Sequence, residues 1–237
     1  MITLALDSTA KCASAAIYDG EKILASFNVD NGLTQSELLL PMVESLCKTL
    51  NLDFSDINLF ACSVGPGSFT GVRIGVSVIK GLCFGRNTPC VPVSTLEALA
   101  HNLEGIDGII VATMDARRNQ FYSAIFDSEK NKMTRLTDDM AISSDALCDA
   151  IKNLSIKKPV YLVGDGYAPA KKKLTEAGIV LCETPPLLIL ENAATIARIA
   201  ERKYLSGEYV SDKELLPTYL RLPQAERERL EKQTAEK

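Results

Sequence analysis

The sequence contains few of the residues from which catalytic and metal sites are usually built. Its 237 residues include a single histidine, His101, which excludes a metal site that depends on paired histidines. A Ser-His-Asp triad would have to use His101, but its neighbours Leu99 and Asn102 give no sign of such a site. The G-x-S-x-G motif of many hydrolases is also missing. We therefore expect His101 to lie at a helix end or on the surface, without a catalytic role.

The cysteines show no pattern typical of a redox or metal site. None of the seven belongs to a C-x-x-C motif, and their spacing is irregular. Most lie in apolar segments, as buried thiols do in proteins of a reducing compartment. We therefore expect buried, reduced thiols. They are Cys12, Cys47, Cys62, Cys83, Cys90, Cys148 and Cys182.

The sequence also lacks a membrane span, a signal peptide and a basic patch. No run approaches the roughly 18 apolar residues of a transmembrane helix, and Asp7 lies where a signal peptide needs a basic end and a long apolar segment. We therefore expect a cytoplasmic protein. The formal net charge is −4 and the lysines and arginines are scattered, whereas nucleic-acid-binding proteins usually carry a basic patch. A role on RNA would therefore depend on a partner.

What the sequence does contain is an order of predicted elements that occurs twice. Alternating apolar and polar residues predict a strand over residues 2–7 that ends at Asp7, and two antiparallel partners follow around an Asp19-Gly20 turn. A buried strand over residues 108–114 likewise ends at Asp115 and is followed by antiparallel partners. Helices are predicted over residues 34–50, 70–85, 143–154, 168–177 and 192–206 and from residue 94 or 95, and further strands over residues 57–64, 91–93 and 160–163.

This repetition predicts the fold class. We expect an α/β protein with two similar lobes, in which mixed sheets are flanked by helices and a cleft lies between the lobes. The expected division is into residues 1–104 and 105–237. Pro41 should kink or restart the first helix. The charged tail from Pro223 onward is expected to be a solvated helix or disordered.

The most unusual segment is GPGSFTGVRIG at residues 65–75. A glycine-rich turn between a strand and a helix can bind an anion, but the segment matches neither the P-loop nor the dinucleotide-binding motif. Alternatively, Gly71 and Gly75, and again Gly81 and Gly85, are four residues apart and would lie on one helix face. Such a face lets another backbone approach closely, which favours tight packing or an interface. Both interpretations remain open at this point.

Acidic residues end the first strand of each predicted lobe. In a working nucleotide site of this architecture, such acids would position a metal ion beside the phosphates. Here Ser8-Thr9 and Ala116-Arg117 follow the acids, where unobstructed backbone would help a phosphate to approach. The alternatives are a degenerate site and simple strand-end caps. A degenerate nucleotide site would comprise Asp7, Ser8, Asp115 and Gly164.

Residues 65–75 resemble the corresponding segment of the TsaB family. The resemblance continues in the same order over nearly the whole chain. Its other parts are ALDST at residues 5–9, TQ to LP over residues 34–41, VSTL at 93–96, MDARR at 114–118 with Tyr122, VGDG at 163–166 and LPTYLR at 216–221. One departure is Leu33, where many members of the family have a histidine. That departure argues against a residual metal role.

The resemblance implies an actin-like, RNase H-like fold and a non-catalytic role in forming threonylcarbamoyladenosine beside the tRNA anticodon. It also implies a homodimer when the protein is alone, a heterodimer with the larger paralogue TsaD, action with the ATPase TsaE, and only indirect contact with tRNA. No cofactor is expected, although ADP or ATP at the complex interface stays open. Carried over to the helices at residues 34–50 and 70–85, the implied interface comprises Leu39, Met42, Val43, Leu46, Gly71, Gly75, Val78, Gly81, Leu82 and Gly85.

Two rival functions remain open. The first is a small-molecule kinase or hydrolase that uses the interlobe cleft, with Asp7 and Asp115 as metal-positioning acids. The second is a metallopeptidase related to TsaD, which the single histidine disfavours. The resemblance favours a scaffold that binds and orders TsaD.

Overall fold

The first half of the chain forms a five-stranded mixed sheet. The computed structural model describes residues 1–154 and 158–221. The strand order is β3-β2-β1-β4-β5, in which the first three strands are antiparallel and β4 and β5 run parallel to β1. The strands are β1 (Thr3–Asp7), β2 (Ala13–Tyr18), β3 (Ile23–Val29), β4 (Leu59–Ser63) and β5 (Cys90–Val93).

Helices α1 (Gln35–Leu50) and α2 (Phe69–Cys83) cover one face of this sheet. The predicted capping box starts α1, since Thr34 and Glu37 bond reciprocally. Pro41 does not restart the helix, because α1 runs through it without a break. Pro41 itself is exposed, as is Leu40 before it, whereas Leu38 and Leu39 in the preceding turn and Met42 and Val43 after it are buried. Their packing offsets the lost backbone hydrogen bond.

The second half repeats the start of the first. Strands β6 (Gly108–Asp115) and β7 (Gln120–Glu129) are antiparallel, and β10 (Val160–Val163) runs parallel to β6. The order β10-β6-β7-β8 therefore matches β4-β1-β2-β3 of the first sheet. The predicted α/β fold of two similar lobes, in which mixed sheets are flanked by helices, is confirmed. The remaining elements are β8 (Lys132–Arg135), β9 (Met140–Ser143), α4 (Ser144–Asn153) and α5 (Tyr167–Glu176).

Two helices lie between the sheets. Helix α3 (Thr95–His101) packs mainly on the second sheet, whereas α6 (Ala193–Leu205) packs on the first. Helices α4 and α5 cover the outer face of the second sheet. The layers therefore follow the order α1/α2, first sheet, α6/α3, second sheet, α4/α5.

The C-terminal part of the described chain returns to the first half. After α6, Val210 forms a two-residue bridge with Cys90 at the start of β5, and the amide of Thr218 donates to the carbonyl of Val64. The division at residue 104 stays a prediction, but these contacts attach α6 and residues 210–218 to the first sheet. The predicted tail from Pro223 lies outside the described residues.

Most predicted elements are present with small shifts of their ends. Strand β9 was not predicted, and it pairs with β7 over a short register beside β8. Helix α2 ends at Cys83, so Gly85 lies beyond it with a φ of 74°. The prediction that Gly81 and Gly85 share a helix face is therefore wrong. Gly85 instead serves the turn that leaves the helix.

Candidate functional site

A cavity of about 460 Å³ lies between the two halves. Its walls come from the turn after β1, the start of α2, the end of β6, the turn after β10 and the segment at residues 218–221. Its lining includes the acidic residues Asp115 and Asp165 and the basic residues Lys11, Arg117 and Arg221. This cavity corresponds to the predicted cleft.

Asp7, the first predicted metal-positioning acid, does not line this cavity. Only 1% of the residue is exposed. One carboxylate oxygen accepts hydrogen bonds from the amide and the hydroxyl of Thr9 at 2.8 and 2.7 Å. The other accepts from the hydroxyl of Ser63 at 2.5 Å. Burial raises the pKa of Asp7, and these hydrogen bonds oppose the rise. Asp7 thus links β1, the following turn and β4.

Asp115 occupies the equivalent strand end in the second half, and it is exposed at the cavity. Its carboxylate accepts one hydrogen bond, from the amide of Arg117 at 2.7 Å, and its own amide donates to Asp165 at 3.0 Å. Of the four residues predicted for a degenerate nucleotide site, Asp115 alone lines the cavity. Asp7, Ser8 and Gly164 are buried.

The glycines at the start of α2 allow this helix to approach the turn after β1. A Cβ atom at Gly71 would lie 2.0 Å from the carbonyl oxygen of Ser8, and one at Gly75 would lie 2.4 Å from the hydroxyl oxygen of Ser8. The Ser8 hydroxyl donates to the carbonyl of Gly71 at 2.8 Å. The amide of Ser68 donates to the carbonyl of Thr9 at 2.7 Å. Gly71 and Gly75 therefore pack inside the protomer, in agreement with the tight-packing interpretation.

Two carboxyl groups were not identified from the sequence, that of Asp165 in the cavity lining and that of the buried Glu191. Glu191, just before α6, is 3% exposed, and neither of its carboxyl oxygens has a hydrogen-bond partner among the described residues. Burial raises its pKa well above the ordinary value, and the charges of Asp7 and Asp165 raise it further. Burial also raises the pKa of Asp165. Glu191 could not be identified from the sequence, because only tertiary packing brings it near Asp7.

These acids do not form a metal centre. Among residues 1–154 and 158–221, no group of three or more His, Cys, Asp or Glu side chains is arranged to hold a metal ion. His101 lies at the end of α3, as expected, with its Nδ1 atom 2.9 Å from the carbonyl oxygen of Glu97. Burial lowers the pKa of His101. In the same described ranges, no helix is long and apolar enough to cross a bilayer.

Most of the predicted interface residues lie inside the protomer. Leu39, Met42, Val43 and Leu46 belong to the core between α1, α2 and the first sheet. On α2, Val78 and Leu82 are half-buried and Gly81 is exposed. Gly85 is exposed after the helix end. The interface assignment stays a prediction, and within α1 and α2 it depends on accessible residues such as Val78, Leu82 and the exposed Leu40.

The seven cysteines contain one close pair that their spacing did not reveal. The Sγ atoms of Cys83 and Cys90 are 3.2 Å apart, although six residues separate them in the sequence. All seven are free thiols, and six are buried, as expected. Helix α2 and strand β5 bring the two together at one edge of the core.

Known proteins resemble this chain over most of its length. Residues 34–228 match the family described as TsaD, tRNA N6-adenosine threonylcarbamoyltransferase. A Haemophilus influenzae protein named tRNA threonylcarbamoyladenosine biosynthesis protein TsaB is 32% identical over 230 residues, which cover 92% of each chain. The protein of the same name from Escherichia coli is 29% identical over 224 residues, covering 93% of this chain and 95% of its own.

A solved structure shows the same fold. The structure titled "YeaZ from Pseudomonas aeruginosa" is 24% identical and superposes with a TM-score of 0.74, covering 92% of this chain and 99% of its own. At this identity the likeness concerns the fold. The sequence relatives, their coverage and the matched family together show that this chain belongs to the TsaD-related proteins and, among them, to the TsaB family.

Proposed function

We propose that this chain acts in the formation of threonylcarbamoyladenosine in tRNA as a non-catalytic subunit that binds and orders TsaD. The burial of Asp7 is the main structural support. An acid that should position a metal ion at a phosphate is instead held by Thr9 and Ser63 below the cavity floor. The names of the curated relatives support the pathway.

The proposed contact surface is the outer side of α1 and α2. Ile74, Val78 and Leu82 are half-buried and lie four residues apart, which places them on one face of α2. Leu40 on α1 is 46% exposed, and Phe84 directly after α2 is 81% exposed. Accessible apolar side chains on neighbouring helices are typical of protein–protein contact sites. We propose that TsaD binds here and that a second copy of this chain binds here when TsaD is missing.

We also propose how TsaE, tRNA and a nucleotide would interact with the complex. TsaE would act on the assembled pair, and tRNA would contact the complex through TsaD, because the net charge of this chain is −4. A nucleotide at the complex interface would need residues of both subunits. The protein would work in the cytoplasm, where tRNA is modified.

The decisive experiment is threonylcarbamoyl transfer to tRNA by TsaD, TsaE and the adenylate-forming synthase, with and without this chain. We expect transfer to require it. Gly81→Arg should abolish binding to TsaD, because Gly81 is exposed on α2 and a Cβ atom there meets open space. The matched control is Ala146→Arg on the exposed side of α4, which should bind normally. Transfer that proceeds equally well without the chain would refute the proposal.

A second candidate is a small-molecule kinase or ATPase that uses the cavity. The presence of Asp115, Asp165 and Lys11 in its lining favours this alternative. Asp115→Asn is the appropriate probe, since this side chain is exposed and its replacement leaves the core unchanged. ATP turnover by the isolated chain that is lost in this variant would support the enzyme. Normal threonylcarbamoyl transfer by the same variant would support the scaffold.

A further inference from the structure

Cys83 and Cys90 form a thiol pair whose sulfur atoms are in direct contact. Cys83 is the last residue of α2 and Cys90 the first of β5. Their Sγ atoms are 3.2 Å apart, and the residues are 1% and 0% exposed. A disulfide bond is about 2.05 Å long. Small side-chain rotations in the native structure could bring the two sulfur atoms to bonding distance.

The contact between these thiols differs from those of other cysteines in the described chain. The thiol of Cys12 donates to the carbonyl of Ala13 at 3.6 Å, and that of Cys148 to the carbonyl of Lys173 at 3.9 Å. Both are weak contacts with the backbone. Cys90 makes a contact of the same kind, with the carbonyl of Thr88 at 3.8 Å, but its sulfur atom is in addition the hydrogen-bond partner of the Cys83 sulfur atom.

The surroundings of the pair give the two sulfur atoms different roles. The hydrogen bond from the Cys83 thiol lowers the pKa of Cys90, and Lys80 lowers it further, whereas burial and the charge of Asp212 oppose this. The same hydrogen bond raises the pKa of Cys83, as do burial and Asp212, against the charge of Arg86. The contact therefore lowers the pKa of Cys90, and the thiolate is the nucleophile in disulfide exchange.

A second cavity lies beside the chain segment that precedes Cys90. It has a volume of about 460 Å³, and its lining includes Thr88, Pro89, Val210 and Asp212. Val210 covers Cys90 through two backbone hydrogen bonds of 2.9 and 2.8 Å. Since these two bonds form an isolated bridge, a local opening of the chain there would expose Cys90 without unfolding the sheet.

We propose that Cys83 and Cys90 are a reversible disulfide site, oxidised by a small-molecule disulfide such as glutathione disulfide. The Cys90 thiolate attacks one sulfur atom of the oxidant, forms a mixed disulfide and releases one thiolate. The Cys83 thiolate then attacks the Cys90 sulfur atom and releases the second. The protein loses two protons and two electrons, and the oxidant is reduced to two thiols.

Mapping the disulfide in the native protein tests this proposal. The folded chain is equilibrated in glutathione buffers of graded redox poise, its remaining thiols are blocked, and it is digested with trypsin. Cleavage after Lys80, Arg86 and Arg117 gives peptides 81–86 and 87–117, which contain Cys83 and Cys90 as their single cysteines. We expect these two peptides to be linked, with a mass lower by two hydrogen atoms than their sum.

The disulfide should also raise the melting temperature. It closes a short loop between α2 and β5, and we expect an increase of about 5 °C on oxidation, reversed by dithiothreitol. Cys83→Ala and Cys90→Ala should remove both the linked peptide and the increase. Cys47→Ala is the matched control, because this buried residue of α1 is outside the pair and should leave both unchanged.

The mapping on the unmutated chain keeps the test independent of whether the alanine variants fold. Links that involve other cysteines, links between two molecules, or a native chain that stays reduced at every poise would overturn the proposal. So would a link that forms only after the chain has been unfolded.

Discussion

The two halves of the molecule end their first strands in the same way but use the acid differently. Asp7 at the end of β1 is buried and accepts three side-chain or backbone hydrogen bonds. Asp115 at the end of β6 is exposed at the cavity and accepts one, from the amide of Arg117. The acid that ends the first strand is therefore part of the core in the first half and part of the cavity lining in the second.

The residues that follow each acid explain this difference. In the first half, Ser8 bonds to α2 and Thr9 to Asp7, so the turn is drawn against the helix. In the second half, Arg117 and Arg118 have positive φ values of 62° and 54° in an exposed hairpin turn. This turn meets only the tip of a helix, since the carbonyl of Asn119 accepts hydrogen bonds of 3.3 Å from the amide and the hydroxyl of Ser144, the first residue of α4. Duplication thus conserves the strand order while the loops determine which acid remains accessible.

The largest effect should come from breaking the contact between α2 and the turn after β1. Gly71→Ala should destabilise the protein by about 3 kcal/mol, because its Cβ atom would lie 2.0 Å from the Ser8 carbonyl oxygen and backbone would have to move. Gly81→Ala on the same helix meets open space and should stabilise by up to about 1 kcal/mol. Urea unfolding of both variants measures the difference, and equal effects would contradict the packing role.

The next largest effect should distinguish Asp7 from Asp115 in their contribution to stability. Asp7→Ala should cost about 2 kcal/mol, because the Thr9 amide and the Ser63 hydroxyl would remain buried without their acceptor. Asp115→Ala should change the unfolding free energy by less than about 0.5 kcal/mol, as is usual at exposed positions. Chemical denaturation of both variants at one pH provides the measurement. A comparable loss at Asp115 would show that the second acid also supports the fold.

Much of this comparison could be predicted from sequence, and part could not. Apolar alternation located β1, a continuous apolar segment located β6, and both led to the acids that end them, since a strand's burial pattern is local information. The burial of Asp7 was not predictable, because it depends on Ser63, which is distant in sequence and reaches Asp7 only through the parallel pairing of β1 and β4. Glu191 was missed for the same reason.

The helical periodicity of α1 predicted an apolar face but not what that face packs against. It correctly identified Leu39, Met42, Val43 and Leu46 as one apolar face, but such a face can pack on the same chain or on a partner. Family resemblance favoured the partner, and in the protomer all four residues are in the core. Sequence periodicity alone does not distinguish these two environments.

A smaller effect concerns Glu191 and its dependence on pH. Its folded pKa lies well above the ordinary 4.5, so the folded protein binds a proton that the unfolded chain has released. The contribution of Glu191 to the free energy of unfolding should therefore be greatest below pH 4.5. It should decrease as the pH rises from 4.5 through the pKa that Glu191 has in the folded state. Asp7, whose pKa is also raised by burial, contributes in the same direction.

Glu191→Gln should remove most of this dependence. The variant should be more stable than the unmodified chain by about 1 kcal/mol at pH 8, because a neutral amide avoids the cost of a buried charge. At pH 5 the two proteins should differ less. Thermal unfolding across this pH range tests the prediction, with Glu208→Gln as an exposed control in the same half of the chain. A constant difference at all pH values would exclude a titrating Glu191.

The smallest effect should come from the hairpin turn between β6 and β7. Arg117, Arg118 and Asn119 are all left-handed, a conformation that costs energy for residues with a Cβ atom. Arg118→Gly should therefore stabilise the protein by about 0.5 kcal/mol, although glycine usually destabilises a hairpin strand. Ser128→Gly in β7 is the contrasting variant, since it replaces a buried strand residue and should destabilise. Opposite signs in thermal unfolding would show that the left-handed conformation at Arg118 costs the fold energy, whereas destabilisation by both variants would contradict this.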